Sequence, residues 1–301
     1  KQILNEYGLA SFEYLLGFRK KSQNAWPPVF IVGAPRSGST LLVQAIVNSL
    51  NVAYMSNMHC LLYGAPVFPE LIRKYSSRSP YSFESNHGAT QGWGAPAECG
   101  QYWYRFFPRR PQYCGLNDVD QKRLLQLQNS VNTLLNVARR PFIFKNMHVA
   151  LRLLPITKTF PNALFIVIRR NEVENGHSLL ETRYNIFQNY DSWWSMEPPN
   201  IQQLKSLPSY KQVIEQIRAI YTTIEKDLQT SNISTAQILD LTYEELCGNP
   251  TETIELVQKF MTKNGVSVLK THDLPEFFSV RSETRIDKNL YKKMVSYASE
   301  L

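Results

Sequence analysis

Val29-Phe30-Ile31-Val32-Gly33-Ala34-Pro35-Arg36-Ser37-Gly38-Ser39-Thr40-Leu41-Leu42 is the stretch on which the reading of this chain turns. Four β-branched or aromatic residues in a row read as a buried strand. The glycines and the proline that follow read as a turn, and Leu41, Leu42, Ala45, Ile46 and Val47 then form one apolar stripe of a helix. Strand, glycine-containing turn and helix start, in that order, aim backbone N–H groups and the positive helix end at one point, which suits a phosphate. The stretch nearly matches the pattern G-x-x-x-x-G-K-[ST]: Gly33, Gly38 and Thr40 fit, but Ser39 stands where the lysine belongs. That lysine reaches the β- and γ-phosphates of a nucleoside triphosphate, so its loss argues against ATP or GTP hydrolysis. What remains suits a single 5′-phosphate, with Arg36 adding charge at the bridging or transferred group. A strand-turn-helix with a merely structural glycine bend is the plainer alternative, and the Pro-Arg-Ser-Gly-Ser-Thr content weighs against it.

Outward from this stretch, apolar runs at residues 142–144, 164–168 and 237–241 read as further buried strands. Ile254, Val257 and Phe260 form another helical stripe after Asn249-Pro250, a helix start with proline in the first turn. Buried strands alternating with amphipathic helices predict an α/β fold, a P-loop-like parallel β-sheet flanked by helices. Two stretches break the rhythm. Residues 61–117 carry Tyr63, Tyr81, Phe83, Trp93, Tyr102, Trp103, Tyr104, Phe106, Phe107 and Tyr113 among glycines and prolines, and residues 184–208 carry Trp193-Trp194 and Pro198-Pro199. Aromatics more often fill a core than bind a ligand. Long irregular inserts in an α/β fold are nevertheless commonly lids or binding loops, so both are read as walls of an acceptor pocket. With no internal repeat and no Gly/Ser linker, residues 1–301 read as one domain, its core at 28–60, 141–183 and 237–262.

The 301 residues include 33 Lys+Arg against 25 Asp+Glu, a net charge of +8, with 43% hydrophobic residues. That is ample for a core and excludes disordered, collagen-like and disulfide-scaffold classes. The charge predicts an anionic partner without choosing among nucleic acid, an acidic membrane surface and a phosphorylated small molecule. Cys60, Cys99, Cys114 and Cys247 show no C-x-x-C spacing and read as scattered, reduced thiols. The apolar runs are far short of a bilayer span, so a cytoplasmic protein that uses no membrane is expected. The chain begins at Lys1, which leaves a removed leader open.

The Gly33-to-Leu42 stretch resembles the 5′-phosphosulfate loop of sulfotransferases that use 3′-phosphoadenosine 5′-phosphosulfate (PAPS), in their protein-tyrosine and bacterial branches. The resemblance implies that Arg36, Ser37, Gly38, Ser39 and Thr40 hold the 5′-phosphate. It extends to Arg170-Asn-Glu-Val-Glu-Asn-Gly-His-Ser178, where an arginine ending a strand and a serine eight residues later grip the 3′-phosphate in the family. Arginine suits that role because its planar fork bonds two phosphate oxygens at once. Phe142-Ile-Phe-Lys145 and Phe160-Pro161 resemble the segment whose strand-end lysine bridges toward the transferring sulfuryl group. Tyr243-Glu244-Glu245-Leu246 resembles the segment whose tyrosine contacts the adenine. Arg281, Ser282 and Arg285 match, loosely, a C-terminal basic segment that closes over the 3′-phosphate.

The resemblance implies in-line transfer of a sulfuryl group from PAPS to a hydroxyl or amine of a small acceptor, with Arg36 and Lys145 stabilising charge and no metal. The general base departs from the pattern. The tyrosyl branch places a glutamate about twenty-one residues after the loop arginine, and here that position is Asn57, which takes no proton. His59, two residues on, is the favoured base, with His148 and Glu98 as competitors. The aromatic inserts favour a ring-bearing small molecule as acceptor; the oligomeric state is not legible. Two other classes stand beside this reading. One is a P-loop nucleotide phosphotransferase, for which Asp240 is a weak magnesium-strand candidate; the other is a nucleic-acid binder using Arg105, Arg109 and Arg110 among the aromatics.

Overall fold

The computed structural model describes residues 4–9, 26–73, 82–84, 90–280 and 283–300. The deciding stretch folds as strand β1 (Val29–Val32), a turn, and helix α1 (Ser39–Ser49). Four more strands follow: β2 (Ala53–Tyr54), β3 (Phe142–Lys145), β4 (Leu164–Arg169) and β5 (Ile238–Thr242). The helices that matter for the site are α2 (Asn57–Leu61), α3 (Gln121–Ala138), α4 (Glu172–Phe187), α5 (Ser209–Thr230), α6 (Tyr243–Gly248), α7 (Pro250–Lys263) and α8 (Lys288–Ser299). Pro250 opens α7 in its first turn, as the Asn249-Pro250 pair predicts. All the strands are parallel, in the order β2-β3-β1-β4-β5, with Val29 of the central strand opposite both Ile143 and Leu164. The structure therefore bears out the α/β sheet flanked by helices. In such a sheet the neighbours of the central strand are reached in opposite directions, which opens a crevice at the carboxyl ends.

The inner strands β1, β3 and β4 bury both faces, while the edge strand β5 exposes Asp240. Phe30, Val32, Phe142, Phe144, Phe165 and Val167 enter one core, and Val29, Ile31, Ile143, Leu164, Ile166 and Ile168 enter the other. The alternation is the two-residue period of a strand. The first face is a bank of rings, with Phe142 and Phe144 stacked at 4.6 Å and Phe30 at 5.4 Å from Phe144 and 5.7 Å from Phe165. Trp103 caps that bank, 6.0 Å from Phe30. Tyr63, Tyr102, Trp103, Phe106 and Phe107 are all buried there. These five rings therefore serve as core: a sheet face made of phenylalanines needs apolar cover, and they supply it, while Glu98 is the residue of the first insert that reaches the cavity described below. Phe83 instead packs on Phe278, and Tyr81 lies outside the described residues.

The cysteine reading is also corrected. Cys60 and Cys99 form a disulfide, while Cys114 and Cys247 are buried free thiols. Ser56 bridges Pro96 in antiparallel fashion and the Ala97 amide donates to Met55, which brings the two cysteines together across 39 residues of sequence. That separation is why spacing alone gave no sign of the bond. Among the described residues no helix is long and apolar enough to cross a membrane.

One buried acid marks the join between insert and core. Tyr113 donates its hydroxyl to Asp227 Oδ1 at 3.2 Å, while Oδ2 is buried without a partner among the described residues. Burial lifts the Asp227 carboxyl from its ordinary 3.8 to about 6. The native state thus holds this proton more tightly than the unfolded chain, so the associated stability is present below about pH 4 and lost as pH rises through about 6. Asp227→Asn keeps an acceptor for Tyr113, and we expect it to flatten the fall of Tm across this window and raise Tm at pH 7. Thermal melts of both proteins from pH 4 to 8 check this, and parallel profiles would refute it.

Candidate active site

The loop after β1 owes its shape to close approach. A Cβ at Gly33 would lie 2.5 Å from the carbonyl oxygen of Ile168 on β4, so only glycine lets the loop pass there. Arg36 and Gly38 are left-handed, at φ 66° and 91°. A Cβ on Gly38 would meet the Tyr243 ring at 2.2 Å. Gly38 is also the residue preceding α1, and no side chain caps that helix. The first amides of α1 are therefore left for a ligand or water to satisfy. The unusual backbone at Arg36 is held from α4 and β4. Buried Asn175 donates its amide to the carbonyls of Pro35 and Arg36 at 2.7 and 3.2 Å, and Arg170 Nη1 donates to the same Arg36 carbonyl at 3.3 Å. Arg36 Nε in turn donates to Ser178 Oγ at 3.0 Å.

The other cations arrive at the same edge because each ends a strand. Lys145 is the last residue of β3, Arg170 follows β4, and Tyr243 opens α6 directly after β5. With Arg36, Gly38, Ser39, Thr40, Leu41, Glu98, Met147 and Trp194 they line a cavity of about 140 Å³. Lys145 is only 5% exposed; its Nζ donates to Thr40 Oγ1 at 3.0 Å and forms an ion pair with Glu98. The Glu98 carbonyl accepts from Asn146 Nδ2 at 2.9 Å, which keeps the residue beside the end of β3. The Arg170 guanidinium lies 4.5 Å from the centre of the Tyr243 ring.

Three cations against the single carboxylate of Glu98 make the cavity an anion site. Burial first, and then the neighbouring charge of Arg170, lowers the Arg36 pKa from its ordinary value. Burial pushes the Tyr243 phenol up to about 12, so it stays protonated at neutral pH. Arg170 Nε is buried at the cavity without a partner among the described residues, and such a group suits a ligand, whereas Ser37, fully buried, does not line the cavity.

Of the expected site residues, Arg36, Gly38, Ser39, Thr40, Lys145, Arg170, Tyr243 and Glu98 line one cavity, with Ser178 attached through Arg36. His59 is placed elsewhere. It is sealed from solvent, and its Nδ1 accepts the Ser56 amide at 3.1 Å in the capping box of α2. Asn57 is a loop staple, donating to the carbonyls of Thr90 and Gly92 at 2.8 Å. His148 is half-buried against Tyr104 with its pKa lowered to about 4, first by burial and then by Arg152. Neither histidine lines the cavity, because the short helices they sit in turn them into the protein. Arg281 and Ser282 lie outside the described residues. Arg285 stands one layer out, its amide donating to His177 Nε2 at 3.1 Å and its guanidinium paired with Glu181 of α4.

The features behind the two other classes are engaged elsewhere. Asp240 accepts from Arg169 Nε at 3.0 Å on an exposed surface, away from the cavity. Arg105 donates to the Tyr63 carbonyl and Arg109 to Gln101 within the first insert, and exposed Arg110 pairs with Glu197 of the second, so each guanidinium has a partner in the inserts. Sequence reasoning did not single out Met147 or Asn175. Asn175 lies one turn before Ser178 on the same helix face, which is the one signal that pointed to it.

Loop, cavity and topology together define a P-loop-like parallel sheet with a cation-lined cavity at its carboxyl edge. The chain belongs to the sulfotransferase family, whose model matches residues 27–262. It is 23% identical over 244 residues to the omega-hydroxy-beta-dihydromenaquinone-9 sulfotransferase Stf3 of Mycobacterium bovis, and equally to that of Mycobacterium tuberculosis. That match covers 74% of this chain and 60% of each relative. The crystal structure of sulfotransferase STF9 from Mycobacterium avium superposes with a TM-score of 0.54 at 12% identity, over 97% of this chain and 72% of that one. At this identity it bears on the fold alone.

Gly38→Ala tests the loop. The added methyl meets Tyr243 at an unfavourable φ, and we expect a loss of about 1–3 kcal/mol in denaturant unfolding. Unchanged stability would show that Tyr243 does not close the loop.

Proposed function

We propose that this protein transfers a sulfuryl group from PAPS to a hydroxyl or amine of a small-molecule acceptor, releasing 3′,5′-bisphosphoadenosine. The observation that carries the reading is one cavity in which Lys145, Arg36 and Arg170 meet Glu98 beside an uncapped helix start. Family membership supports sulfotransfer in general. The residues present fit the donor. The amides of 36–40 and the hydroxyls of Ser39 and Thr40 suit its 5′-phosphate, Arg170 and Ser178 its 3′-phosphate, and the Tyr243 ring its base. The unpartnered Nε of Arg170, a cavity-lining residue, is the buried donor this assignment satisfies.

The donor supplies an activated sulfuryl group and a stable bisphosphate leaving group; the protein supplies charge and a base. Lys145, buried and aimed at Thr40, stabilises negative charge on the departing oxygen. Arg36, fixed by Ser178, adds a second cation at the same place. These side chains supply the positive charge that the reaction needs, and we read it as requiring no metal. Glu98 is the base this geometry favours over His59 and His148, because it alone of the three lines the cavity. Its carboxylate accepts the acceptor's proton as the new bond to sulfur forms. Trp194, Met147 and Leu41 supply an apolar wall, which supports a ring-bearing or otherwise apolar alcohol. The name of the mycobacterial relatives points to a lipophilic alcohol of the same chemical kind.

The test is transfer of radiolabelled sulfate from PAPS to a panel of alcohols, phenols and amines, alongside melting shifts with 3′,5′-bisphosphoadenosine, ATP-Mg and an oligonucleotide. Selective stabilisation by ATP-Mg would instead favour a phosphotransferase, and by the oligonucleotide a nucleic-acid binder. Lys145→Ala and Glu98→Gln are expected to lower kcat by about a hundredfold or more with little change in bisphosphate affinity. Arg170→Ala is expected to weaken 3′,5′-bisphosphoadenosine by about tenfold or more, read by calorimetry, and unaltered affinity would remove its role.

A further inference from the structure

The disulfide lies one residue from the proposed base. Glu98 and Cys99 are adjacent, and Cys99 is bonded to Cys60 in α2. Cys99 adopts a left-handed backbone at φ 50°, unusual for a residue with a Cβ. That turn separates two differently directed pieces of chain. Before it, residues 96 and 97 run beside Ser56 and Met55, and Glu98 reaches Lys145. After it, the helix Gly100–Trp103 drives Tyr102 and Trp103 into the core. Residues in such conformations persist where their surroundings over-determine them: the Cys99 carbonyl accepts the Tyr102 amide at 2.9 Å and Asn146 holds the Glu98 carbonyl, while the bond to Cys60 is the covalent constraint, fixing the Cys99 side chain. α2 is a firm anchor, since buried His59 and Ser56 cap it reciprocally.

We propose that the Cys60–Cys99 disulfide is a positioning element for catalysis, holding the turn at Cys99 and thereby the Glu98 carboxylate against Lys145. The inference rests on the reading of Glu98 as base given above. Reduction by a dithiol breaks the S–S bond, gives each sulfur one electron and one proton, and converts the dithiol to its own cyclic disulfide. Cys99 then leaves the left-handed region, and Glu98 departs from the cavity. Oxidising conditions maintain such a bond and a reducing cytosol removes it, so the activity follows the redox state of the surroundings. The donor-binding groups, Arg36, Thr40, Arg170 and Tyr243, belong to elements the bond does not touch.

The experiment compares the full oxidised chain with the same protein after dithiol treatment, and with Cys60→Ser/Cys99→Ser. Alkylation in denaturant, with and without prior dithiol treatment, read peptide by peptide by mass spectrometry reports the bond, since the free thiols Cys114 and Cys247 are labelled in both cases and Cys60 and Cys99 only after reduction. Turnover is followed as transfer from radiolabelled PAPS to 2-naphthol, or to water if 2-naphthol is not taken, and calorimetry gives the affinity for 3′,5′-bisphosphoadenosine. We expect kcat to fall about tenfold or more in both the reduced and the double-serine protein, with bisphosphate affinity changed less than about twofold. In a Glu98→Gln background, reduction should cause no further loss. Full kcat after reduction, a parallel loss of bisphosphate binding, or an additional loss in the Glu98→Gln background would each overturn the proposal. Failure of the underlying reading shows separately, as retained turnover in oxidised Glu98→Gln.

Discussion

The passage of the first loop between β4 and Tyr243 is the constraint around which the site is organised. Backbone must cross the Ile168 carbonyl at Gly33 and lie under a tyrosine ring at Gly38, and neither crossing leaves room for a Cβ. Left-handed backbone at Arg36 and at Gly38 itself turns the chain sharply enough to start α1 at the sheet's carboxyl edge. Such backbone is strained unless its surroundings hold it, and here Asn175 and Arg170 hold it through carbonyl oxygens. The residues that fix the loop are thus neighbours of those that bind at it. Arg170 serves in both ways, with one face on the Arg36 carbonyl and the other over Tyr243.

Burying cations at this edge is costly without compensation. Lys145 is almost wholly buried, and Thr40 and Glu98 compensate it. Arg36 is compensated by Ser178 and by the distant charge of Glu181. The cavity still carries more positive than negative charge, which an anionic ligand neutralises. The net charge of +8 takes on a narrower meaning in this light. Arg110, Arg169 and Arg218 are tied to surface carboxylates, and it is the few cations at the strand ends that form a local anion site.

The strands, the loop and the strand-end cations were legible because they obey local rules. A buried parallel strand must be apolar on both faces, and a phosphate loop must be glycine, then helix start. Lys145, which ends β3, and Arg170, which follows β4, agree with that logic and with the family resemblance, since residues at the carboxyl ends of parallel strands face the crevice. The inserts obey no such rule. Trp103 and Phe107 look identical in sequence whether they line a pocket or cover Phe30, and the packing of the phenylalanine bank settled the matter. His59 falls outside the cavity for a related reason. His59 has the chemistry, but the reciprocal cap of a five-residue helix turns its ring inward.

By itself, then, the sequence determined the sheet, the loop and which cations stand at its edge, Arg36, Lys145 and Arg170, because each is encoded in a few contiguous residues through periodicity, glycine placement and strand ends. Tertiary structure alone decided which carboxylate faces Lys145, how Asn175 braces the loop, and that Cys60 meets Cys99. Those contacts join segments 39 or more residues apart, such as Glu98 with Lys145 and Arg36 with Asn175. Such pairings arise only when separate elements pack on a common core, and no local pattern in the chain records them.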